Sequence, residues 1–222
     1  MDIIKIETTD PQFPRRLRRI GAECPEVIYC RGNLDLLNQH ERVAIIGARA
    51  ADAEGCGAAY RLGQLWARNG YVVVSGLALG CDTATHRGCL DEGGKTIAIV
   101  ASGLDICHPK ENEALEQEII DKGGLILSEQ PLGVKANPTR LVARNRLQAA
   151  LSNIVILAQS PIKGGSMHTI NFARRYGKRI QAVKFYHESE INGGYFLLLH
   201  QGIAVEAPMV FPQTSEKFEC TL

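Results

Sequence analysis

The chain has 222 residues, 45% of them hydrophobic, and 25 Lys and Arg against 24 Asp and Glu for a formal charge of +1. This is enough material for one sizeable core, and the charge balance excludes a uniformly basic or uniformly acidic protein. No apolar stretch follows a basic N-terminus and no uncharged run approaches the ~20 residues of a membrane helix, so the expectation is a soluble, cytoplasmic protein without membrane contact.

Residues 1–41 open with a turn, Asp10-Pro11-Gln12-Phe13-Pro14. A short amphipathic helix over 15–20 and one edge strand near Pro25-Glu26-Val27-Ile28-Tyr29 follow. They are expected to form an appendage packed on the core. From Arg42 the pattern becomes regular. Residues 43–46, 71–74, 96–100, 124–127, 153–157 and 179–183 are unbroken runs rich in Val, Ile and Leu, the signature of strands buried on both faces. Between them, 53–69, 82–92, 111–122, 139–152 and 166–177 have helical length and spacing, with Gly70 and Gly177 placed where a helix end needs a left-handed residue. The alternation predicts an α/β fold over 42–207: a doubly wound, mostly parallel sheet with helices on both faces, closed by a short strand at 202–205. Residues 208–222 read as a tail that is poorly ordered. Seven cysteines, with no Cys-x-x-Cys pair, are expected to be reduced thiols. The neighbours Cys107 and His108, and Cys81 near His86, lack the second spaced pair of a zinc site, so no metal is expected.

Charge is distributed unevenly. Residues 135–184 contain ten Lys or Arg and no acid, whereas 110–129 contain six acids and two lysines. This asymmetry predicts one basic, anion-binding face. Within it, Arg144-Asn145-Arg146 suits bidentate contacts to phosphate oxygens.

Ligands of open α/β sheets bind at the carboxyl ends of the strands, and three segments stand there. Gly47-Ala48-Arg49 follows the first core strand. Ser75-Gly76-Leu77-Ala78-Leu79-Gly80 follows the second and leads into Asp82, expected to cap the next helix, with His86 in an orienting i, i+4 hydrogen bond to it. Lys163-Gly164-Gly165-Ser166 has the form of an anion-binding helix N-terminus. Neither Asp82 nor His86 has a nucleophile partner, so no catalytic residue is assigned. The Walker A and Gly-x-Gly-x-x-Gly spacings are both missing, and no cofactor is expected.

Taken in order, these segments resemble the DNA-processing protein A (DprA/Smf) family. The resemblance runs from about Phe13 to about Gly202. It is carried by Pro25-Glu26-Val27-Ile28-Tyr29-Cys30-Arg31-Gly32, Val43-Ala44-Ile45-Ile46-Gly47-Ala48-Arg49, Ser75-Gly76-Leu77-Ala78 with Gly80 and Asp82, and His86-Arg87-Gly88. Gly103-Leu104-Asp105, His108-Pro109-Lys110-Glu111-Asn112, Ser128-Glu129-Gln130-Pro131, Arg144-Asn145-Arg146 and Gly165-Ser166 complete it. It implies an extended Rossmann-like core, here without the helical and winged-helix domains that often flank it. It also implies a homodimeric, non-catalytic protein that binds single-stranded DNA and delivers RecA onto it in recombination or natural transformation. The implied DNA contacts are Gly47, Arg49, Ser75, Gly76, Leu77, Ala78, Gly80, Arg144, Asn145, Arg146, Lys163, Gly164, Gly165 and Ser166. The chain departs from the family at Leu79, where a basic residue is usual, at Ala48, where a hydroxyl is usual, and at Leu147-Gln148.

Two other functions use the same pocket. One is a small-nucleotide sensor. The other is an enzyme processing nucleoside monophosphates, whose Pro-Gly-Gly-x-Gly-Thr turn is echoed by residues 161–169. No glutamate follows that turn as far as Lys178, which weighs against hydrolysis.

Overall fold

Runs of Val, Ile and Leu without polar alternation have no face to offer solvent, so they pair side by side beneath helices. The computed structural model describes residues 2–39 and 41–207, and the tail named above lies outside them. Seven strands are mutually parallel: β3 (Arg42–Ile46), β4 (Val72–Ser75), β5 (Thr96–Ile99), β6 (Leu125–Ser128), β7 (Ile154–Leu157), β8 (Arg179–Ala182) and β9 (Val205–Glu206). β1 (Ile4–Glu7) and β2 (Val27–Gly32) extend the β6 edge in antiparallel fashion. The order is β1-β2-β6-β5-β4-β3-β7-β8-β9.

The expected doubly wound α/β sheet is therefore present. Two details differ from the sequence reading. The strand at Pro25–Tyr29 is not an edge strand, because β1 lies outside it. Only Ile6 of β1 is buried, too little apolar signal for a strand to be recognised. The closing strand lies slightly later than expected and is only two residues long.

The helices divide into layers. α2 (Ala53–Arg68) packs on α3 (Cys81–Asp91), and α3 on α4 (Glu113–Asp121). α5 (Pro138–Leu151) packs on α6 (Ser166–Arg175) and on the short α1 (Arg15–Arg18). α7 (Gly193–His200) has no helical signature in the sequence, because Tyr195-Phe196-Leu197-Leu198-Leu199 carries no polar stripe. No helix among the described residues is long and apolar enough to cross a membrane. Chain direction sets the position of the site. β3, β4, β5 and β6 proceed outward on one side, and the chain then crosses back to place β7 on the other side of β3. The strand order reverses between β3 and β7, which opens a crevice above their carboxyl ends.

Close approach of α2 and α3 holds the loops on that crevice. A Cβ on Gly88 would lie 2.0 Å from the Tyr60 carbonyl oxygen, and one on Gly63 would lie 2.4 Å from that of Thr85. Backbone meets backbone here, so no flexible side chain can yield. Of the cysteines, Cys24, Cys30, Cys81, Cys89 and Cys107 are free thiols. Burial pushes Cys30, Cys81 and Cys89 up to about 12, so they act as small apolar packing groups.

His86 also departs from expectation. Its Nδ1 lies 2.8 Å from the hydroxyl of Thr96, not on Asp82. Thr96 gives its only hydroxyl proton to the Val73 carbonyl at 2.8 Å, so the imidazole must donate from Nδ1. Nε2 has no partner among the described residues in a fully buried setting. Burial, then the charge of Arg144, lowers the imidazole to about 3.

Both features can be measured through stability. Gly88→Ala should force α2 from α3 and lower stability by about 1–3 kcal/mol, read as a lower urea midpoint. An unchanged midpoint would show that the helices slide apart freely. His86 stays neutral when folded but binds a proton below about 6.5 when unfolded, so its stabilisation is present above that pH and lost as pH falls toward about 3. Between pH 7 and 5 the loss should be about 2 kcal/mol, and the same pair of urea titrations on His86→Gln should lack that component. Equal pH dependence in both proteins would exclude a buried neutral imidazole.

Candidate functional site

Three loops meet above the carboxyl ends of β3, β4 and β7. They frame a cleft of about 490 Å³ lined by Gly47, Arg49, Asp82, Arg144, Asn145 and the turn at Gly164, Gly165 and Ser166, among others. A smaller apolar cavity of about 100 Å³ adjoins it, walled by Leu79, Ala101, Pro109 and Leu141 and sharing Arg49 and Arg144.

The loop after β3 runs against α3. A Cβ on Gly47 would stand 2.4 Å from Cys81 Sγ, so only glycine allows this approach. The Ala48 amide donates to the Gln159 carbonyl at 2.8 Å, and the Cys81 amide donates to the Ala48 carbonyl at 3.2 Å. Arg49 stands at the rim of both cavities and has no hydrogen bond or ion pair among the described residues. It is the cation of the cleft that is free to meet a ligand.

The loop after β4 is organised from below. Asp82 lies within the first turn of α3, not at its N-cap, which is Gly80 at φ 74°. Its Oδ2 accepts from the Gly76 amide at 3.1 Å and the Ala78 amide at 3.4 Å. This holds Leu77 at φ 60°, an uncommon conformation for a non-glycine residue, with its side chain fully buried. The Leu77 carbonyl accepts from Asn112 Nδ2 at 2.8 Å. The Ser75 hydroxyl donates to the Ile45 carbonyl at 2.7 Å. The amides of Gly76 and Ala78, expected to face a phosphate, therefore face Asp82.

Arg144 reaches this loop from α5. It is buried, donates from Nη1 to the Ile99 carbonyl at 2.6 Å, and leaves Nε without a partner among the described residues. A Cβ on Gly76 would lie 1.8 Å from Arg144 Nη1 and 2.6 Å from Asp82 Oδ2, so both groups press on the same glycine. Gln148 joins them, its amide oxygen accepting from Arg144 Nη1 at 2.7 Å and from the Gly76 amide at 3.1 Å in the orientation that satisfies both. Burial raises the Asp82 carboxyl, opposed by the charge of Arg144. Burial likewise lowers the Arg144 guanidinium to about 10, with Asp82 opposing that shift. The result is a charge-compensated floor beneath the cleft.

The third wall is the turn into α6. Asn145 Nδ2 donates to the Gly165 carbonyl at 3.2 Å, and the Ser166 hydroxyl donates to Ser160 Oγ at 2.8 Å. The amides of Gly165 and Ser166 have no backbone acceptor among the described residues, as expected at a helix start. Lys163 projects into solvent beside the turn and does not line the cleft. Gln159, at the end of β7, links two walls. Its Nε2 donates to Asp52 Oδ1 at 2.9 Å, and its Oε1 accepts from the Asp52 amide at 3.1 Å. Gln148, noted in the sequence only as a departure from the family pattern, lines the cleft, and Gln159 braces its loops; sequence reasoning gives neither a role in the site. The local signal for Gln159 is the first polar residue after the apolar run of β7.

Arg146 is not part of the cleft. Its guanidinium forms a bidentate pair with Glu129 and donates from Nε to the Glu23 carbonyl at 2.8 Å. Two residues of helix turn it away from the direction of Arg144. The basic block as a whole divides in the same way, and is not one continuous face. Arg175 pairs with Glu23 and Lys184 with Glu206, while Lys178 donates to the Ala150 and Ser152 carbonyls at 2.9 and 2.8 Å. With Arg144 buried and Arg146 on Glu129, five of the ten cations serve internal contacts, whereas Lys135, Lys163, Arg174 and Arg179 are exposed.

Comparison with known proteins identifies the family and agrees with the fold. The family profile described as DNA recombination-mediator protein A matches residues 5–212. The chain is 34% identical to Protein Smf of Synechocystis over 88% of its own length and 50% of that protein's. It is 38% identical to DNA processing protein DprA of Streptococcus pneumoniae, over 78% of this chain and 60% of the relative. The X-ray structure of the latter superposes with a TM-score of 0.84, at 33% identity, over 92% of this chain and 71% of that one. DNA processing protein A from Helicobacter pylori, a structure described as having a unique single-stranded DNA binding mode, superposes with a TM-score of 0.83 at 32% identity, covering 93% of this chain and 91% of that one. The chain thus spans about half to three fifths of the length of these two curated relatives. It belongs to the DNA recombination-mediator protein A family, which includes the DprA and Smf proteins.

Proposed function

We propose that the protein binds single-stranded DNA in DNA processing and recombination, acts without catalysis, and as a homodimer in the cytoplasm hands the strand to RecA. The observation that carries the DNA part is the cleft at the switch point. It offers one uncommitted guanidinium, Arg49, beside the open amides of Gly165 and Ser166, above a floor whose charges are already balanced. Such a site attracts a phosphate without fixing a base, so binding is tolerant of sequence and sensitive to salt. The adjoining apolar cavity gives the strand a surface for a base or sugar, and Leu79 contributes to it as a wall where other family members usually carry a cation. The single-stranded DNA binding described for the Helicobacter pylori protein supports the same reading. Delivery of RecA and dimerisation rest on the family resemblance.

The roles divide by geometry. Arg49 and the turn at Gly164, Gly165 and Ser166 contact the ligand, with Lys163 adding charge nearby. Gly47, Ser75, Gly76, Leu77, Ala78, Gly80, Asp82 and Arg144 shape the floor and the two neighbouring loops, and Asn145 fixes the α6 turn. A second reading, a mononucleotide site, is favoured by one observation: the cleft volume falls within the range of small-molecule pockets.

Fluorescence anisotropy with oligo-dT at several salt concentrations separates the two. Arg49→Ala should weaken binding roughly tenfold for oligo-dT, oligo-dA and mixed sequences alike, and reduce the salt slope by about 0.7. Arg146→Ala should lower thermal stability and leave affinity within about twofold of wild type. Displacement of the oligonucleotide by equimolar dTMP, with no gain in affinity on lengthening the strand, would establish the small-ligand reading instead.

A further inference from the structure

The amino ends of the strands, opposite the cleft, carry a second concentration of positive charge. A groove of about 540 Å³ there is lined by Arg16, Arg19, Glu23, Arg175, Tyr176 and Lys178. A smaller recess of about 130 Å³ adjoins it and adds Arg15 and Arg42. The acid of the groove is already engaged: Glu23 accepts from Arg175 Nη1 at 2.5 Å and from the Tyr176 hydroxyl at 2.6 Å. The Arg19 side chain is exposed and has no hydrogen bond or ion pair among the described residues. Arg42 is 2% exposed and spends Nη1 on the Leu36 and Leu37 carbonyls, while its buried Nε has no partner among the described residues. Burial, then the charges of Arg16, Arg42 and Arg19, lowers the Lys178 ammonium to about 8, as expected where cations crowd one another.

The helix α6 joins the two sites. Its first residue lies in the cleft, and its last, Arg175, lies in the groove. Ten residues at about 1.5 Å each give roughly 15 Å between them. The exposed side of α6 presents His168, Asn171, Arg174 and Arg175, and the helix carries no acid. A polyanion leaving the cleft along α6 therefore meets no negative side chain of that helix before reaching the groove. An acidic peptide held at the groove alone would not require such a path, and the continuity favours nucleic acid.

We infer that the exposed Arg19 and Arg15, above the positive charges of the buried Arg42 and the half-buried Lys178, form a second phosphate-binding site, which holds the backbone of the same single strand after it has followed α6 from the cleft. This rests on the DNA-binding reading above. It makes affinity depend on strand length, because a short oligonucleotide fills the cleft and only a longer one reaches the groove.

The test compares oligo-dT of roughly five and roughly twenty nucleotides, a span that brackets common single-strand site sizes. Arg19→Glu should bind the short strand like wild type and the long one about tenfold more weakly, with a salt slope lower by about 0.7 for each phosphate no longer neutralised. Arg19→Gln should give a smaller loss in the same direction, and it is the variant to read if Arg19→Glu unfolds early. Arg49→Ala should weaken both strands. If Arg19→Glu binds the long strand as wild type does while Arg49→Ala does not, the second site is overturned and the cleft stands. If wild type binds neither strand, both readings fail together. If poly-glutamate binds wild type, is not bound by Arg19→Glu, and long-strand affinity is the same in both proteins, the groove is a site for an acidic protein and the inference is wrong.

Discussion

A carboxylate buried beneath the crevice holds the site together. Asp82 takes the amides of Gly76 and Ala78, and this lets the chain pass through a left-handed leucine on leaving β4. An uncompensated charge at that depth would cost several kcal/mol, and Arg144, pressed against the same glycine from α5, provides the compensation. Arg144 in turn donates to the end of β5 and, with Gln148, braces the loop. Residues from β4, β5, α3 and α5 thus meet at one point, and the two helical layers are coupled through the end of the sheet.

This explains why so few of the site's polar groups remain for a ligand. Loop amides at a strand end usually invite an anion, but here a side chain of the protein has taken them. What is left open is Arg49 at the rim and the start of α6, both of which line the cleft. In the proposed DNA complex these are the groups that would meet a phosphate, above a floor whose charges are already balanced. The network also has a physical reason to resist change: its polar members are buried, so removing one strands the others without water to replace it.

The division of arginines follows the same logic. Arg144 and Arg146 are two residues apart on one helix, so they point in different directions, one to the floor and one to Glu129. Acids from the preceding segment and from the N-terminal region neutralise part of the basic block, which leaves local concentrations of charge at the two ends of the strands. A near-neutral protein can hold an anion in this way without attracting anions everywhere.

Much of this is legible in the sequence because it depends on local chemistry. Unbroken Val, Ile and Leu runs need a covered parallel sheet, and glycines at helix ends and strand ends mark turns, so strands β3 to β8 and helices α2 to α6 can be placed nearly to the residue. The ordered motifs indicate which loops meet. Elements with a weak or uniform pattern leave no such trace, namely β1 with one buried side chain and α7 with no polar stripe. What the sequence does not contain is partnership. Asp82 has three choices, to cap its own helix, to bond to His86 or to capture the preceding loop, and Arg146 can meet either a phosphate or Glu129. The outcome in each case depends on side chains that arrive from other elements. Local propensity determines what each segment becomes, but only the folded arrangement decides which charges are consumed inside and which are left for a ligand.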